Sequence, residues 1–119
     1  MNEQVSWTFE VAINDGELDN LKALMKEMVD ATKANEPGTL AYEWFISEDK
    51  KQCHIHEWYK NAPATVAHLI TFKANYAARL LSMCVPTRFV VFGNPDSFVL
   101  EALEGFGAVY MSPLGGFVQ

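Results

Sequence analysis

The sequence predicts an α+β fold in which helices cover one face of an antiparallel sheet. Short runs with the spacing of β-strands and longer runs with the spacing of amphipathic helices support this prediction. Polar turn residues separate the runs, and their order is strand, helix, strand, strand, helix, strand. Half of the 119 residues are hydrophobic, which is enough for one core and one domain.

The first strand and the first helix are marked by a change of hydrophobic period. From residue 5 to residue 13 apolar residues alternate with mostly polar ones, as in a strand with one buried face. Glu17 follows Asn14 by three positions, which predicts a capping box at the start of a helix. Apolar residues then recur at helical spacing up to about Asn35, and Pro37 ends the run.

The next two strands form a predicted hairpin. They run from Leu40 to Ser47 and from Cys53 to Tyr59, on either side of a polar turn. Large side chains occupy both faces of the second strand, with His54, His56 and Trp58 on one face and Ile55, Glu57 and Tyr59 on the other. Since helices cover only one face of such a sheet, we expect a second copy of the sheet to cover the other, in a homodimer.

A second helical run follows the hairpin. Asn61 is a candidate N-cap, with proline in the first turn. The helical pattern persists to about Met83, with a candidate break near Thr71. Pro86 is predicted to end the run because proline lacks the N–H that a helix needs.

A fourth strand and an extension complete the chain. Residues 88–92 are branched and aromatic, as in a buried strand. Residues 96–104 predict a short helix closed by Gly105, and a short apolar piece follows in the tail. This order of elements is that of the ferredoxin-like fold. We expect one domain over residues 1–119, with a core at about 5–92 and an extension at 93–119 that covers a sheet edge or reaches a partner.

Composition excludes several classes of partner. The formal charge is −6, from 9 Lys and Arg against 15 Asp and Glu, so the chain lacks the basic surface that nucleic acid requires. No apolar run is long enough to span a bilayer and the first residues do not resemble a signal peptide, which predicts a cytoplasmic protein without a membrane partner. Cys53 and Cys84 lie far apart without metal-type spacing, which favours free thiols.

Three short motifs stand out in this order of elements. They are Glu36-Pro-Gly38 with Tyr42-Glu43, Glu57-Trp-Tyr59, and Ala67-His68-Leu69. Together they resemble the antibiotic-biosynthesis monooxygenase family, over about residues 5–92. The resemblance implies a dimeric ferredoxin-like α/β barrel. It also implies one of several activities, because the family fold includes cofactor-free quinol and polyketide oxygenases, haem-degrading enzymes, cyclases, decarboxylases and proteins with no established reaction.

An oxygenase without flavin or metal has to deprotonate an electron-rich substrate, because triplet oxygen reacts poorly with closed-shell molecules. This chemistry requires a base in a dry aromatic cavity. The candidate catalytic residues are His68 as base or proton shuttle, His56 as a second acid or substrate donor, and Glu57 as a group that polarises a substrate hydroxyl. Each has a structural alternative. His68 could be a buried histidine bonded to a backbone carbonyl, and His56, like His54, could belong to a cross-strand or dimer-interface pair. Glu57 could form a salt bridge to Arg79 or Arg88.

Aromatic residues on the hairpin and the second helix could hold a planar ring. The candidate substrate-binding residues are Tyr42, Trp44, Trp58, Phe72, Tyr76 and Arg79. The alternative is that the aromatic residues only form the core. We find no nucleotide, flavin or nicotinamide motif and predict no cofactor. Histidines 54, 56 and 68 could converge on a metal ion, but no carboxylate or cysteine motif reinforces them, and we predict no metal.

Two classes of function remain. The first is a cofactor-independent monooxygenase that acts on a small aromatic, quinol-like or polyketide substrate. The second is a non-catalytic dimeric module that binds such a ligand. A haem-degrading, cyclase or decarboxylase role is a third reading. A haem-degrading role would require asparagine on the first strand and tryptophan on the second helix. This chain has Glu10 or Ala12 at the first position and His68 at the second.

Overall fold

Helices cover one face of a five-stranded sheet in the computed structural model, which describes residues 3–119. The elements are β1 (Val5–Ile13), α1 (Leu18–Asn35), β2 (Thr39–Ile46), β3 (Gln52–Tyr59), α2 (Ala62–Asn75), α3 (Ala77–Met83), β4 (Cys84–Gly93), α4 (Ser97–Ala102) and β5 (Val109–Met111). The strand order is β2-β3-β1-β4-β5, antiparallel except for β5, which runs parallel to β4. The predicted α+β, ferredoxin-like fold is confirmed, and the C-terminal extension adds a fifth strand.

The turn between β1 and α1 differs from the prediction. The helix begins at Leu18, and no side chain caps its start, so the capping box between Asn14 and Glu17 does not form. Asn14 lies outside the helix, where its backbone N–H donates to the carbonyl of Met83 at 2.9 Å. Its side-chain amide donates to the carbonyl of Ser82 at 3.4 Å. Asn14 therefore ties this turn to the end of α3.

The second helical run and the fourth strand also differ in detail. The helical run breaks at Tyr76, between α2 and α3, and not near Thr71. Pro86 lies inside β4 and does not end the helix, since the strand begins directly after α3. The pairing of β1 with β4 is irregular between Glu10 and Val11, and Val11 lies opposite Pro86. A strand tolerates proline at such an irregularity because a ladder hydrogen bond is already missing there.

Two helices begin at side-chain caps. The predicted N-cap at Asn61 is confirmed, because its side chain accepts a hydrogen bond from the Ala64 N–H at 3.0 Å. Asp96 caps α4 in the same way, accepting from the Val99 N–H at 3.0 Å. Gly105 follows α4 with a φ of 89°, a left-handed conformation in which glycine avoids the strain of a Cβ atom.

The core forms two clusters on the helix-covered face of the sheet. The first cluster contains Val5, Trp7, Tyr59, Leu69, Phe89, Val91, Val99 and Leu103. The second contains Val11, Leu21, Leu24, Met28, Cys53, Ile55, Leu80 and Cys84. Phe9 packs against both, so the clusters meet below the middle of β1. The candidate site described below lies at this junction.

The other face of the sheet carries no helix, and we call it the open face. It presents alternate residues of four strands, among them His56, Phe45 and Phe92, with Phe45 48% and Phe92 42% exposed. Trp58 also lies on this face, and its indole N–H donates to the Gln4 side chain at 2.8 Å. Within residues 3–119, the helices are too short or too polar to cross a bilayer.

Candidate active site

Four hydrogen-bonded side chains form a buried row between the sheet and α2. His68 lies at the centre, with Nδ1 2.8 Å from Glu36 Oε1 and Nε2 3.0 Å from Glu57 Oε1. The hydroxyl of Tyr59 donates to the same Glu57 oxygen at 2.5 Å. His68, Glu57 and Tyr59 are buried, and the Glu36 side chain is 14% exposed. Because unpaired polar groups are costly to bury, these four residues hold one another in place.

The members of the row come from a strand, a helix and a turn. Glu57 and Tyr59 share the helix-covered face of β3, since alternate residues of a strand point to the same side. His68 lies on the buried side of α2, beside Leu69. The sheet and the helix therefore bring their polar groups together across an otherwise apolar interface.

The turn after α1 delivers Glu36. Its side chain accepts a second hydrogen bond, from the Thr39 hydroxyl at 3.2 Å. Gly38 lets this turn pass directly over α2, because a Cβ atom there would lie only 2.6 Å from the Ala64 Cβ. The close approach places Glu36 alongside His68, so the helix-ending turn is also part of the site.

The central histidine carries a proton at neutral pH. Burial lowers the pKa of His68, but the hydrogen bonds and the negative charges of Glu36 and Glu57 outweigh this effect and raise the pKa to about 9. Both ring nitrogens then donate, one to each carboxylate. The imidazolium therefore lies between two acidic side chains, Glu36 and Glu57.

Two phenols near the histidine keep their protons. Burial, together with the negative charge of Glu57, raises the pKa of Tyr59 well above its usual value. The same two causes raise the pKa of Tyr42 well above its usual value. The rings of Tyr42 and Tyr59 contact the His68 ring, with centroids at 5.4 and 5.2 Å. The Tyr59 hydroxyl already donates its proton to Glu57, and the Tyr42 hydroxyl can donate to a molecule in the cavity.

A small cavity of about 30 Å³ adjoins the row. Its polar wall consists of Glu57, His68 and Tyr42. The rest of the wall is apolar and comes from Trp7, Phe9, Met28, Ile55, Leu69, Phe72, Leu80, Phe89 and Phe106. Both hydrogen bonds to Glu57 end on Oε1, so Oε2 is the carboxylate oxygen left for a molecule in the cavity. This volume holds water or a molecule of similar size, and a larger ligand requires a side chain to move.

The structure brings four of the predicted site residues together. His68, Glu57, Tyr42 and Phe72 all line the cavity. Trp44 lies beside Tyr42, with ring centroids 5.9 Å apart, but outside the lining. The indole N–H of Trp44 is buried beside Tyr42.

The remaining four predicted site residues lie away from the cavity. His56 and Trp58 lie on the open face, where His56 contacts the Phe45 ring at 5.0 Å. Arg79 forms an exposed ion pair with Glu27, and its guanidinium lies 5.5 Å above the ring of Tyr76, which packs against the second core cluster. The sheet therefore separates His56 from His68.

The histidines do not converge on a metal site. His54 lies on the open face with His56, and its Nε2 is 3.5 Å from Glu10 Oε1. His68 lies on the helix-covered face. Residues 3–119 contain no group of three metal-ligating side chains with the spacing to hold an ion.

The sequence prediction of site residues did not include Glu36 and Tyr59 of the row or Phe106 of the cavity wall. It also did not include the other apolar lining residues: Trp7, Phe9, Met28, Ile55, Leu69, Leu80 and Phe89. Glu36 precedes Pro37, and its position at a helix end is visible in the sequence, but the contact of this turn with α2 is not. Tyr59 shares the face of Glu57 two residues away, which strand alternation could have indicated. Phe106 reaches the cavity from the extension, for which the sequence offers no signal.

The family follows from a match over these same segments. The family model described as antibiotic biosynthesis monooxygenase matches residues 5–71, more than half of the chain. The chain belongs to this family. The matched segment contains Glu36, Glu57, Tyr59 and His68, whereas Phe106 lies outside it. The resemblance inferred from the motifs is confirmed.

Solved structures show the same fold at low sequence identity. MupZ from Pseudomonas fluorescens is 21% identical, with a TM-score of 0.82, and the match covers 100% of this chain and 91% of that one. Rv0793 from Mycobacterium tuberculosis is 22% identical with a TM-score of 0.64, over 79% of this chain and 97% of its own. A conserved protein from Methanosarcina mazei is 14% identical with a TM-score of 0.62, over 76% and 89%. A comparison with curated proteins gives no match.

Proposed function

We propose that this chain is a cofactor-independent monooxygenase that acts on a small, neutral, aromatic substrate such as a quinol or a polyketide-derived phenol. One observation carries the proposal: the Glu57 carboxylate, held by His68 and Tyr59, borders an aromatic cavity. A carboxylate that borders a dry cavity lies where a general base for such a substrate is needed. Membership of the monooxygenase family supports the same class of reaction.

Glu57 is the proposed base in place of His68. A histidine with a pKa of about 9 already holds its proton at neutral pH and cannot accept another. Glu57 Oε2 takes the substrate proton, and the Tyr42 hydroxyl donates to the oxyanion that forms. Tyr42 and His68 both border the cavity, so these roles need no rearrangement of the backbone.

The substrate anion supplies the electrons. Removal of a C–H proton from the CH₂ group of the phenol's keto tautomer, with Glu57 as acceptor, gives this anion. The anion transfers an electron to oxygen, and the substrate radical and superoxide combine through a new carbon–oxygen bond. The resulting peroxide anion takes back the proton from Glu57 and becomes a hydroperoxide. Loss of water then leaves a carbonyl group. A CH₂ group conjugated with a phenol and one O₂ thus yield C=O and H₂O, with all four electrons from the substrate. The proposed reaction therefore requires no flavin, nicotinamide or metal.

The row of side chains provides a route for the proton. His68 donates to Glu57 through Nε2 and to Glu36 through Nδ1. A proton accepted by Glu57 can therefore leave through the imidazole to Glu36, the member of the row with a partly exposed side chain. We assign His68 the role of proton shuttle and Glu36 the role of exit.

The charge of the row restricts the substrate. Two carboxylates and one imidazolium leave a net negative charge beside a cavity with few other polar groups. An anionic substrate would be repelled in this low-dielectric site, whereas a neutral phenol would be accepted. The proposed substrates are therefore uncharged phenols and quinols.

Oxygen consumption with a panel of hydroquinones, anthrones and polyphenols tests the proposal. We expect uptake by the chelator-treated wild-type protein and a loss of about 100-fold or more in Glu57→Gln, a change that preserves shape. Glu43→Gln is the matched control, because Glu43 is an exposed carboxylate on the open face. Binding of panel members without any uptake would overturn the proposal in favour of a non-catalytic binding module.

We also propose that two copies of the chain pair through the open face. The support is the exposed aromatic surface of this face, including Phe45 and Phe92, which a monomer would leave in water. A stable pair typically buries about 800 Å² on each partner. Sedimentation at micromolar concentration should give twice the chain mass of 13.4 kDa, and a single 13.4 kDa species would contradict the pairing.

A further inference from the structure

One residue of the cavity wall differs from the others in where it comes from. Eleven of the twelve lining residues lie between Trp7 and Phe89, on the strands and helices of the core. The twelfth is Phe106, which lies in the extension between α4 and β5. Its ring packs against Phe89, with centroids 6.1 Å apart. A residue outside the core therefore completes the wall.

The segment that carries Phe106 has few local restraints. Gly105 and Gly107 flank it with φ angles of 89° and 69°, and a Cβ atom on either glycine would have no neighbour within 4 Å. The Phe106 N–H donates to the Leu103 carbonyl at 3.2 Å. Glycines on both sides give the backbone freedom that the strands and helices around the cavity lack.

Both ends of this segment are anchored. On the α4 side, Val99 and Leu103 are buried in the first core cluster. On the other side, β5 pairs with β4. Lys73 on α2 contacts this region at two points. Its Nζ donates to the carbonyl of Ala102, the last residue of α4, at 2.7 Å, and lies 5.3 Å from the centre of the Phe106 ring. The ring can therefore swing about the glycines without detaching α4 or β5.

We propose that Phe106 is the residue that sets the size of ligand the cavity admits, and that residues 105–107 act as its hinge. The cavity of about 30 Å³ is too small for an aromatic ring while Phe106 occupies its place. Phe106 is the lining residue whose backbone lies outside the strands and helices. Entry of a planar ring then displaces one ring with another of similar chemistry, which keeps the wall apolar.

This inference rests on the proposed function for the class of ligand, an uncharged phenol. The test therefore uses three probes of increasing size: phenol, naphthol and phenanthrol. Their dissociation constants are measured by fluorescence titration with wild-type protein, Phe106→Ala and Phe98→Ala. Phe98→Ala is the matched control, since Phe98 lies on α4 and is 72% exposed. None of these measurements depends on turnover.

We expect Phe106→Ala to favour phenanthrol over phenol by about 10-fold or more relative to wild type, because hydrophobic pockets discriminate size to about this extent. Phe98→Ala should leave the ratio unchanged. Phe106→Leu and Phe106→Trp extend the series should the alanine variant fold poorly, with the ratio rising in the first and falling in the second. A ratio that is the same in Phe106 and Phe98 variants would overturn the inference.

The same samples separate this inference from the proposed function. A shifted size ratio, together with no oxygen consumption by any variant on the panel of hydroquinones, anthrones and polyphenols, would support the role of Phe106 and overturn the monooxygenase proposal. Oxygen consumption by the wild-type protein, with an unshifted size ratio in the Phe106 variants, would support the monooxygenase proposal and overturn the role of Phe106.

Discussion

The two faces of β3 place similar residues in opposite environments. Glu57 and Tyr59 lie under the helices, buried and bonded to each other, while His56 and Trp58 alternate with them on the open face. His68 and His56 are the clearest pair, because one is enclosed between two carboxylates and the other is exposed beside Phe45. Burial and partners, rather than residue type, decide which histidine belongs to the candidate site.

The largest expected difference between the two faces is the loss of folding stability when the histidine of each face is replaced by alanine. His68→Ala leaves two buried carboxylates facing each other without the imidazolium, and breaking such a buried ion pair costs about 3–5 kcal/mol. His56→Ala should cost about 0.5 kcal/mol or less, as expected for a surface position. Urea denaturation of both variants measures the two free energies of unfolding. Equal losses would mean that the buried row does not stabilise the fold.

The pH dependence of stability should be dominated by His68, on the helix-covered face. The folded-state pKa of His68 is raised to about 9 from the usual 6.5, so the folded protein holds this proton more tightly than the unfolded chain. The stabilisation is complete below about pH 6.5 and is lost as the pH rises through about 9. Its size is on the order of 3 kcal/mol.

Denaturation midpoints between pH 6 and pH 10 measure this effect. His68→Gln, which cannot take up a proton, should lack the decline above neutral pH that the wild type shows. A wild-type stability that stays level across this range would contradict a protonated His68.

Overpacking at Gly38, in the turn between α1 and β2, should reduce stability by a smaller amount. In Gly38→Ala the new methyl group would lie 2.6 Å from the Ala64 Cβ, so the turn or the helix has to shift. Overpacking of this kind costs about 1–3 kcal/mol. Gly115→Ala is the matched control, because nothing lies within 4 Å of that position. The difference in melting temperature between the two variants measures the cost, and no difference would show that the turn yields freely.

A conservative substitution on the open face should cause the smallest loss of stability. Trp58→Phe removes the hydrogen bond from the indole N–H to Gln4 but retains an aromatic ring. A partly buried bond of this kind contributes about 1 kcal/mol. Chemical denaturation measures the loss, and oxygen consumption should stay at the wild-type level. A large loss of activity in this variant would place the open face in the site.

The fold was predictable because the hydrophobic period changes clearly from strand to helix. The alternation in β3 even separated Glu57 from His56 correctly. The site was less predictable, because contacts between distant segments set it. Glu36 reaches His68 only through the turn at Gly38, and Arg79 faces Glu27 on the surface where the sequence suggested the cavity. Sequence period fixes the face of a residue but not its neighbours.

The break of the second helical run illustrates the same limit. Apolar residues continue at helical spacing through Tyr76, so the pattern favours one long helix. The structure divides it into α2 and α3 at that residue. Period alone could not place the division, because the spacing is the same on both sides.

The two cysteines bear on how the protein would withstand its own chemistry. Cys53 and Cys84 are buried free thiols, and burial raises the pKa of each to about 11. At neutral pH both are therefore protonated, and peroxides oxidise the thiolate rather than the thiol. An enzyme that forms hydroperoxides repeatedly would expose these sulfur atoms to damage in every cycle. Enclosed and protonated, they would resist oxidation by the hydroperoxide of the proposed reaction.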